Sequence, residues 1–271
     1  MAMSSKTVSV LGCGWLGFPL AQHLLQLGYT VKGSTTTPAK KELLKKSDIV
    51  PYCFRFEPHC LGEPSDFFVA DVLFLNIPFR RDLTDPFFYK SQVESIVSYL
   101  ENSPIRFVIF ASSTAIYPEN NTLITERYPL DLKELRVQAL WESENLLRYN
   151  KHFQATILRF AGLYGGERKI GKFLAGRKEL AGARNPMNLV HLEDCVKIIA
   201  GIIQRDIRGE TFNVCSDDHP TRQEVYSWVA KQEGKTLPKF SSSQEKFKII
   251  SNAKLKKALH YQFKFSSPLK S

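Results

Sequence analysis

The sequence predicts an α/β fold built on a doubly wound parallel sheet. Between residues 7 and 160, apolar runs of strand length alternate six times with helical patterns. The runs are short and nearly continuous, as in strands that are covered on both faces. The first run leads directly into a glycine-rich turn and a helix, which is the arrangement that begins a Rossmann-type domain.

Each predicted element rests on local pattern. The first helix has Leu16, Leu20, Leu24 and Leu27 at helical spacing, and Gly28 follows as its C-cap. We predict strands at Thr7–Leu11, Tyr29–Gly33, Ile49–Phe56, Ala70–Asn76, Arg106–Ala111 and Gln154–Phe160. We predict the intervening helices at Leu16–Leu27, Pro38–Lys46, Asp85–Leu100 and Asp131–Asn150.

The regular alternation loosens after residue 160. A helix at Leu192–Ile203, a strand at Gly209–Val214 and a helix at Thr221–Gln232 are the remaining clear patterns. We therefore expect a dinucleotide-binding domain at 1–160 and a smaller substrate-side subdomain at 161–271. Residues 187–214 of the second part are expected to return to the main sheet.

Composition and charge exclude several classes of function. The net charge is +10, and residues 231–271 contain ten Lys and two acidic residues. These lysines are spread out, include no Arg and accompany no nucleic-acid motif, so we interpret them as a solvated basic surface. No apolar run reaches the roughly 18 residues of a membrane span, and the N-terminus is short and polar. We predict a cytoplasmic protein that binds neither membranes nor nucleic acid.

The cysteines give no sign of a disulfide framework or a metal site. There are five, an odd number, and none forms a CxxC pair. Cys53, His59 and Cys60 lie close together in sequence, but reduced thiols and a surface histidine explain them better than metal ligation does. We predict no metal.

The glycine-rich turn has the spacing GxGxxG, from Gly12 to Gly17. It directly follows a strand and opens a helix, the context in which this motif binds a dinucleotide. The first glycine permits a sharp turn, Gly14 lets the backbone approach a pyrophosphate, and the third lets helix and strand pack closely. The predicted cofactor-binding residues are Gly12, Cys13, Gly14, Trp15, Leu16, Gly17, Ser34, Thr35, Thr36, Asn76, Ile77, Pro78 and Ser112.

The end of the second strand bears on the choice of cofactor. NAD-binding proteins usually place a carboxylate there for the ribose 2′-hydroxyl. This chain has hydroxyl side chains at Ser34–Thr37, with Lys40 and Lys41 following and no carboxylate before Glu42. These groups favour NADP, with NAD as the alternative, and a plain hydroxyl-rich loop with two solvated lysines is an equally open interpretation.

Four further segments resemble the extended short-chain dehydrogenases/reductases, the superfamily of NAD(P)-dependent sugar-nucleotide epimerases and dehydratases. Residues 110–118, FASSTAIYP, are similar to its SSxxxYG segment, and Leu158–Gly165 is similar to LRxxxxYG. Asn188–Asp194 and Gly209–Val214 resemble the later VHxxD and GxxxNV segments. The GxGxxG spacing, in place of the usual GxxGxxG, points to the atypical branch.

The resemblance fails at the superfamily's catalytic pair, a Tyr-xxx-Lys on the helix after the fifth strand. When this helix is aligned on Glu144, Arg136 occupies the Tyr position and Leu140 the Lys position. The dehydratase pair Asp-Glu is also missing, because Thr114 and Ala115 stand in its place. Dehydration of a sugar nucleotide is therefore not expected.

The resemblance implies candidates for the remaining chemistry. Ser113 occupies the superfamily's Ser/Thr position, Tyr117 and Tyr128 are possible replacement acids, and Arg136 could stabilise an oxyanion. Thr114, Arg168 and His191 are the candidates for the substrate pocket. The alternatives are that Ser113 caps the strand end, Tyr117 packs the loop, Tyr128 lies on the surface and His191 is structural.

Two functions remain open. The first is an NAD(P)-dependent oxidoreductase or epimerase-like enzyme whose unknown substrate is a carbonyl compound or a nucleotide sugar. The second is a catalytically silent NAD(P)-binding sensor or interaction protein, which the missing Tyr-xxx-Lys favours. The resemblance also implies a homodimer formed through the helices Asp85–Leu100 and Asp131–Asn150.

Overall fold

The structure, a computed structural model, describes residues 6–64, 66–79, 84–170, 179–234, 236–243 and 245–270. Its strands are β1 (Thr7–Leu11), β2 (Thr30–Thr35), β3 (Val50–Cys53), β4 (Arg55–Glu57), β5 (His59–Leu61), β6 (Val72–Leu75), β7 (Phe107–Ser113), β8 (Thr122–Ile124), β9 (Gln154–Phe160), β10 (Gly162–Tyr164), β11 (Glu179–Leu180), β12 (Leu189–His191), β13 (Thr211–Val214), β14 (Lys239–Phe240) and β15 (Lys248–Ile250). Its α-helices are α1 (Gly17–Gln26), α2 (Pro38–Lys46), α3 (Phe88–Glu101), α4 (Leu135–Arg148), α5 (Leu192–Gln204), α6 (Arg222–Gln232) and α7 (Ala253–Leu259).

A seven-stranded sheet has the order β13-β9-β7-β6-β1-β2-β3. The pairs β1–β2, β1–β6, β2–β3 and β6–β7 are parallel. Counted along the chain, these strands lie in the order 3-2-1-4-5-6-7, which extends the Rossmann order. The predicted α/β fold class is confirmed.

The chain forms two compact units. The first consists of Met1–Ser112, Asp131–Leu158 and Val196–Thr211. The second consists of Ser113–Leu130, Arg159–Cys195 and Phe212–Ser271. One change of unit lies at Leu158, close to the boundary predicted after residue 160. Residues 113–130 belong to the second unit, unlike in the predicted division, whereas residues 196–211, which lie within the segment 187–214 expected to return to the main sheet, belong to the first unit.

The core of the first unit explains why its elements form. All four residues of β6 are buried, as expected for a strand covered on both faces. The inner face of α1 buries Leu20, Ala21 and Leu24. The predicted third strand is interrupted at Phe54, whose ring is buried among the rings of Phe56 and Phe67. Residues 55–61 then form the antiparallel hairpin of β4 and β5.

Small parallel pairs organise the second unit. β8 pairs with β15, β10 with β12 and β11 with β14. Lysines of the basic C-terminal segment form ion pairs here: Lys248 with Glu119, Lys256 with Asp217 and Lys264 with Glu193. None of the helices in the described part of the chain has the length and apolar character needed to span a bilayer.

Candidate functional site

The glycine loop, residues Gly12–Gly17, connects β1 to α1 in the first unit. Gly12 has φ of 101°, in the left-handed region that favours glycine. A Cβ at Gly12 would overlap the carbonyl oxygen of Asn76, and a Cβ at Gly17 would overlap the carbonyl oxygen of Gly12. These two glycines are therefore required by the packing of the chain itself.

Gly14 differs from both. It is exposed, and a Cβ built on it would have no heavy atom within 4 Å. Its glycine identity is thus not explained by intramolecular packing. The adjacent N-terminus of α1 has no side-chain cap at Leu16 and no acidic residue in its first turn. Neither a side-chain cap nor a first-turn carboxylate of α1 therefore neutralises the positive end of this helix dipole, which lies next to Gly14 in the chain.

Hydrogen bonds from neighbouring strands hold the loop. Gly12 N donates to Ser34 Oγ at 2.9 Å, and Cys13 N donates to the Ser34 carbonyl at 2.8 Å. Asn76 Nδ2 donates to the Gly12 carbonyl at 3.1 Å. Leu16 is buried and Trp15 half-buried at the start of the helix. These contacts within the protein therefore define the shape of the loop.

Cys13 is a packing residue. Its side chain is buried, and burial raises the pKa of the thiol to about 12. Its Sγ lies 3.7 Å from the Val10 carbonyl oxygen. Since a cysteine reacts as the thiolate, this one is inert near neutral pH.

The end of β2 changes the interpretation of its hydroxyl groups. Ser34 is buried and its hydroxyl accepts from Gly12, so its predicted role as a cofactor contact is replaced by one in shaping the loop. Thr35 Oγ1 accepts from Thr37 N at 3.2 Å and is also buried. Thr36 is exposed. Its hydroxyl, like that of Thr37, which is also exposed, faces solvent at this strand end and could meet a ligand.

Lysines near this strand fall into two groups. Lys32 is buried, and its Nζ donates to Asp66 Oδ2 at 2.7 Å and to the Val69 carbonyl at 3.0 Å. This hydrogen bond from Lys32 lowers the pKa of the Asp66 carboxyl. Lys40 and Lys41 are exposed on α2. Of these three lysines, Lys40 and Lys41 expose their charge to solvent. Both lie close to Thr36 in the sequence.

The ends of β6 and β7 hold the other predicted cofactor contacts. Ile77 is half-buried and accepts a 3.5 Å hydrogen bond from the Tyr89 hydroxyl, while Pro78 is exposed. Ser112 is buried, and its hydroxyl donates to Glu144 Oε1 at 2.6 Å. This interaction engages the hydroxyl hydrogen of Ser112, and its predicted cofactor role stays a prediction.

Glu144 is a residue whose role the sequence did not reveal. Its side chain is fully buried, and its second oxygen lies 3.1 Å from a guanidinium nitrogen of Arg148. A buried carboxylate needs such partners to offset its desolvation. Glu144 therefore joins β7 to α4 within the first unit.

Ser113 begins the second unit. Its hydroxyl accepts from Ala115 N at 3.1 Å, which starts a 3₁₀ turn over Thr114–Ile116. This bond uses an acceptor lone pair, and a serine hydroxyl also has one hydrogen to donate. Ser113 is half-buried, whereas Thr114 is buried and its hydroxyl donates to the Phe160 carbonyl at 3.3 Å. Ser113 thus keeps a capacity for contact with substrate that Thr114 has lost to packing.

Tyr117 occupies a different environment from the one predicted. It is 2% exposed, and its hydroxyl donates to Asn213 Oδ1 at 2.8 Å. Arg159 is buried as well, donates to the same hydroxyl at 2.6 Å and lies over the Tyr117 ring. The predicted role of Tyr117 as proton donor is contradicted by this burial. Arg159 serves the same network, while Tyr128 is half-buried and accepts from Asn120.

His191 packs between aromatic rings. Its ring centroid lies 3.7 Å from that of Phe265 and 5.1 Å from that of Tyr164. Nδ1 accepts from Glu193 N at 3.2 Å, and burial lowers the pKa of the imidazole. These contacts favour a neutral, structural histidine. Arg168 is exposed and its backbone forms a bridge with Gly165, so its pocket role stays a prediction.

Arg136 is exposed and is the second residue of α4, in the first unit. Leu140, which stands at the Lys position of the superfamily's catalytic pair, is 2% exposed. A contact between Leu140 and a ligand is therefore excluded by its burial. The proposed oxyanion role of Arg136 stays a prediction.

The fold occurs in solved structures of known proteins. A functionally unknown conserved protein from Silicibacter pomeroyi matches with a TM-score of 0.78 and 21% identity, covering 98% of this chain and 96% of that one. UDP-glucuronic acid 4-epimerase from Bacillus cereus, in complex with NAD, matches with a TM-score of 0.74 and 18% identity, covering 97% and 95%. The molecule thus has the fold of the extended short-chain dehydrogenases/reductases, as its motifs predicted.

The sequence has a closer relative. Protein YeeZ from Escherichia coli strain K12 is 33% identical over 269 residues, which cover 97% of this chain and 98% of the relative. The chain therefore belongs to the family of Protein YeeZ. No family model matches it.

Proposed function

We propose that the glycine loop binds the pyrophosphate of a nicotinamide dinucleotide. The observation that carries this proposal is Gly14, where glycine is unnecessary for packing and the backbone is open to a ligand. The uncapped N-terminus of α1 supplies backbone N–H groups and a positive dipole end. The structurally similar epimerase from Bacillus cereus binds NAD, which supports the same cofactor class here.

Among these cofactors we favour NADP. Within Ser34–Thr37 there is no carboxylate to hydrogen-bond a free ribose 2′-hydroxyl. Thr36 can donate a hydrogen bond to a 2′-phosphate, and exposed Lys40 and Lys41 supply positive charge. NAD remains the alternative cofactor.

The reaction class we favour is that of an oxidoreductase or epimerase-like enzyme acting on a carbonyl compound or nucleotide sugar. A nicotinamide cofactor supplies hydride transfer when it is bound. Ser113 would donate a hydrogen bond to a substrate oxygen. Arg136 would hold an anionic group without exchanging protons, because a guanidinium stays charged at neutral pH.

A second function, a silent dinucleotide-binding sensor, is favoured by one specific observation. The usual Tyr and Lys positions hold an arginine and a buried leucine, and the replacement acid Tyr117 is buried as well. Turnover in a panel of carbonyl compounds and nucleotide sugars distinguishes the two functions. Cofactor binding without any turnover would favour the sensor.

The cofactor proposal is tested with Gly14→Val. A side chain at this position meets open space in the protein but blocks the approach of a phosphate. We expect the thermal midpoint of the ligand-free variant to stay near wild type, while titration calorimetry shows NADP affinity reduced at least about tenfold, or roughly 1.4 kcal/mol. Gly17→Ala is the contrasting variant and should lower the midpoint itself. NADP binding by Gly14→Val at wild-type strength would place the site elsewhere.

A further inference from the structure

One residue of the glycine loop, Gly12, is held from both sides. β1 lies between β2 and β6 in the sheet, and each neighbour contributes one side chain to Gly12. Ser34, on β2, accepts the Gly12 N–H at 2.9 Å. Asn76, directly after β6, donates to the Gly12 carbonyl at 3.1 Å. Both hydrogen-bonding groups of this one residue are therefore bound by side chains from different strands.

Backbone contacts reinforce the same arrangement. Cys13 N donates to the Ser34 carbonyl at 2.8 Å, and Asn76 N donates to the Leu11 carbonyl at 3.0 Å. The Asn76 carbonyl also lies where a Cβ at Gly12 would be. Together these contacts hold Gly12 at φ of 101°, one of several conformations that an unrestrained glycine populates.

Ser34 acts on this loop from inside the protein. It is 2% exposed, so its side chain is covered by protein atoms and its hydroxyl is engaged with Gly12. The sequence places Ser34 among the predicted contacts to the cofactor. The geometry instead places Ser34 behind the loop, where it determines the direction of the next peptide groups.

On the basis of the dinucleotide site proposed above, we propose that Ser34 and Asn76 are positioning residues that preset the glycine loop for a pyrophosphate. A preformed loop does not need to be ordered when the ligand binds. Binding therefore costs less conformational entropy, and the affinity is higher. Removal of either side chain leaves a peptide group of Gly12 without its acceptor or donor. The loop then samples other conformations. Affinity is therefore lost for ligands that contain the pyrophosphate, the part that the loop contacts.

This mechanism separates two classes of ligand. NADP and ADP-ribose contain a pyrophosphate, whereas adenosine 2′-monophosphate contains the adenosine end alone. We expect Ser34→Ala and Asn76→Ala each to weaken NADP and ADP-ribose about tenfold, and to change the affinity for adenosine 2′-monophosphate less than twofold. Because both side chains hold the same residue, Gly12, the double variant should lose less than the product of the two single losses.

Two control variants accompany the titrations. Ser34→Thr keeps the hydroxyl and should restore most of the pyrophosphate affinity. Ser9→Ala removes a buried hydroxyl on the neighbouring strand, one that donates to the Phe67 carbonyl at 2.6 Å and has no bond to the loop. It should lower the thermal midpoint while leaving NADP affinity unchanged, which separates a positioning effect from a general loss of stability.

The outcomes are distinguishable. Equal losses of affinity for adenosine 2′-monophosphate and NADP in Ser34→Ala would mean that Ser34 contacts the ligand directly. Unchanged affinities would mean that the loop binds the pyrophosphate without being held by Ser34. Either result overturns the positioning role and leaves the proposed function intact. Wild-type protein that binds neither NADP nor ADP-ribose would overturn the proposed function, and the positioning role with it.

Discussion

The carboxylate of Asp194 accepts a hydrogen bond from the hydroxyl of Tyr261 at 2.7 Å, across 67 residues of chain. Asp194 is fully buried and also accepts from the backbone nitrogens of Lys264 at 2.9 Å and Phe265 at 3.0 Å. This single side chain therefore fastens residues 261–265 to the start of α5. The contact with Asp194 raises the pKa of the Tyr261 hydroxyl, after the larger effect of burial.

Asp194→Ala should lower the free energy of unfolding by about 3 kcal/mol, because three donors lose a buried charged acceptor. Urea unfolding followed by circular dichroism measures the change. Glu193→Gln is the matched control. It alters the adjacent carboxylate, whose pair with Lys264 is exposed and should contribute no more than about 1 kcal/mol. Equal effects of the two substitutions would show that Asp194 is not the fastening point.

The stability of the second unit should fall as the pH is lowered below 6.5. Burial lowers the pKa of His191 and of His219 from their ordinary value of 6.5. The folded state therefore favours the neutral imidazoles, so their contribution is fully present above pH 6.5 and is lost as the pH falls toward the lowered values. Thermal midpoints measured between pH 7.5 and 5.5 should decrease accordingly.

His191→Asn should reduce that pH dependence, since the amide oxygen can still accept from Glu193 N but does not titrate. The same exchange at His260, whose side chain is exposed, is the control. A pH profile of His191→Asn that coincides with the wild-type profile would remove His191 as a source of the effect.

Cofactor preference should depend on Thr36. Thr36→Asp places a negative charge beside the 2′-phosphate and should reduce NADP affinity about tenfold relative to NAD, whereas Thr36→Arg should increase it by a similar factor. Titration calorimetry with both cofactors measures the ratio. Thr30→Asp, at the opposite end of β2, should leave the ratio unchanged. A wild-type protein that binds NAD more tightly than NADP would contradict the preference.

Turnover should depend on Ser113. If a substrate is found, Ser113→Ala should lower kcat about a hundredfold with little change in cofactor affinity. The substitution removes the hydroxyl that would contact the reacting oxygen of the substrate. Ser113→Thr keeps a hydroxyl and should retain part of the activity. Steady-state kinetics gives the comparison, and wild-type kcat in Ser113→Ala would exclude this residue from the chemistry.

Self-association should involve α3 and α4, which pack side by side in the first unit. A cavity of about 590 Å³ lies along them, lined by Val97, Trp141, Leu146 and Tyr149 among others. We expect a dimer at micromolar concentration in light-scattering measurements, and Trp141→Lys should shift it to monomer by placing charge in an apolar contact. A monomeric wild-type protein would contradict the prediction.

The main sheet could be predicted from the sequence because its signals are local. The apolar run of β6 and the spacing of Leu20 and Leu24 on α1 each report burial within a few residues. The glycine loop could be recognised for the same reason. Gly12 and Gly17 are required by contacts within the turn and with the strand ends beside it. The interruption of the predicted third strand at Phe54 follows from aromatic packing that no periodic pattern encodes.

The side-chain roles could not be predicted because they depend on distant partners. Ser34 meets Gly12 across 22 residues, Gly12 meets Asn76 across 64, and Tyr117 meets Asn213 across 96. A motif gives the residue at a position but not the group that its hydroxyl finds in the fold. Tyr117 thus has the right position in sequence for a catalytic acid and the wrong surroundings for that role.

The second unit consists of segments that are separated in the sequence. The order of synthesis on the ribosome therefore determines when this unit can fold. β1, β2, β3, β6 and β7 have all been synthesised by Ser113, so much of the first unit's sheet can pair early. The second unit requires its last segment, Phe212–Ser271, because β15 pairs with β8 across more than a hundred residues. Domains generally fold as units during synthesis. The second unit therefore stays incomplete until β15 has been synthesised, and a nascent chain paused before Lys248 would lack the strand that pairs with β8.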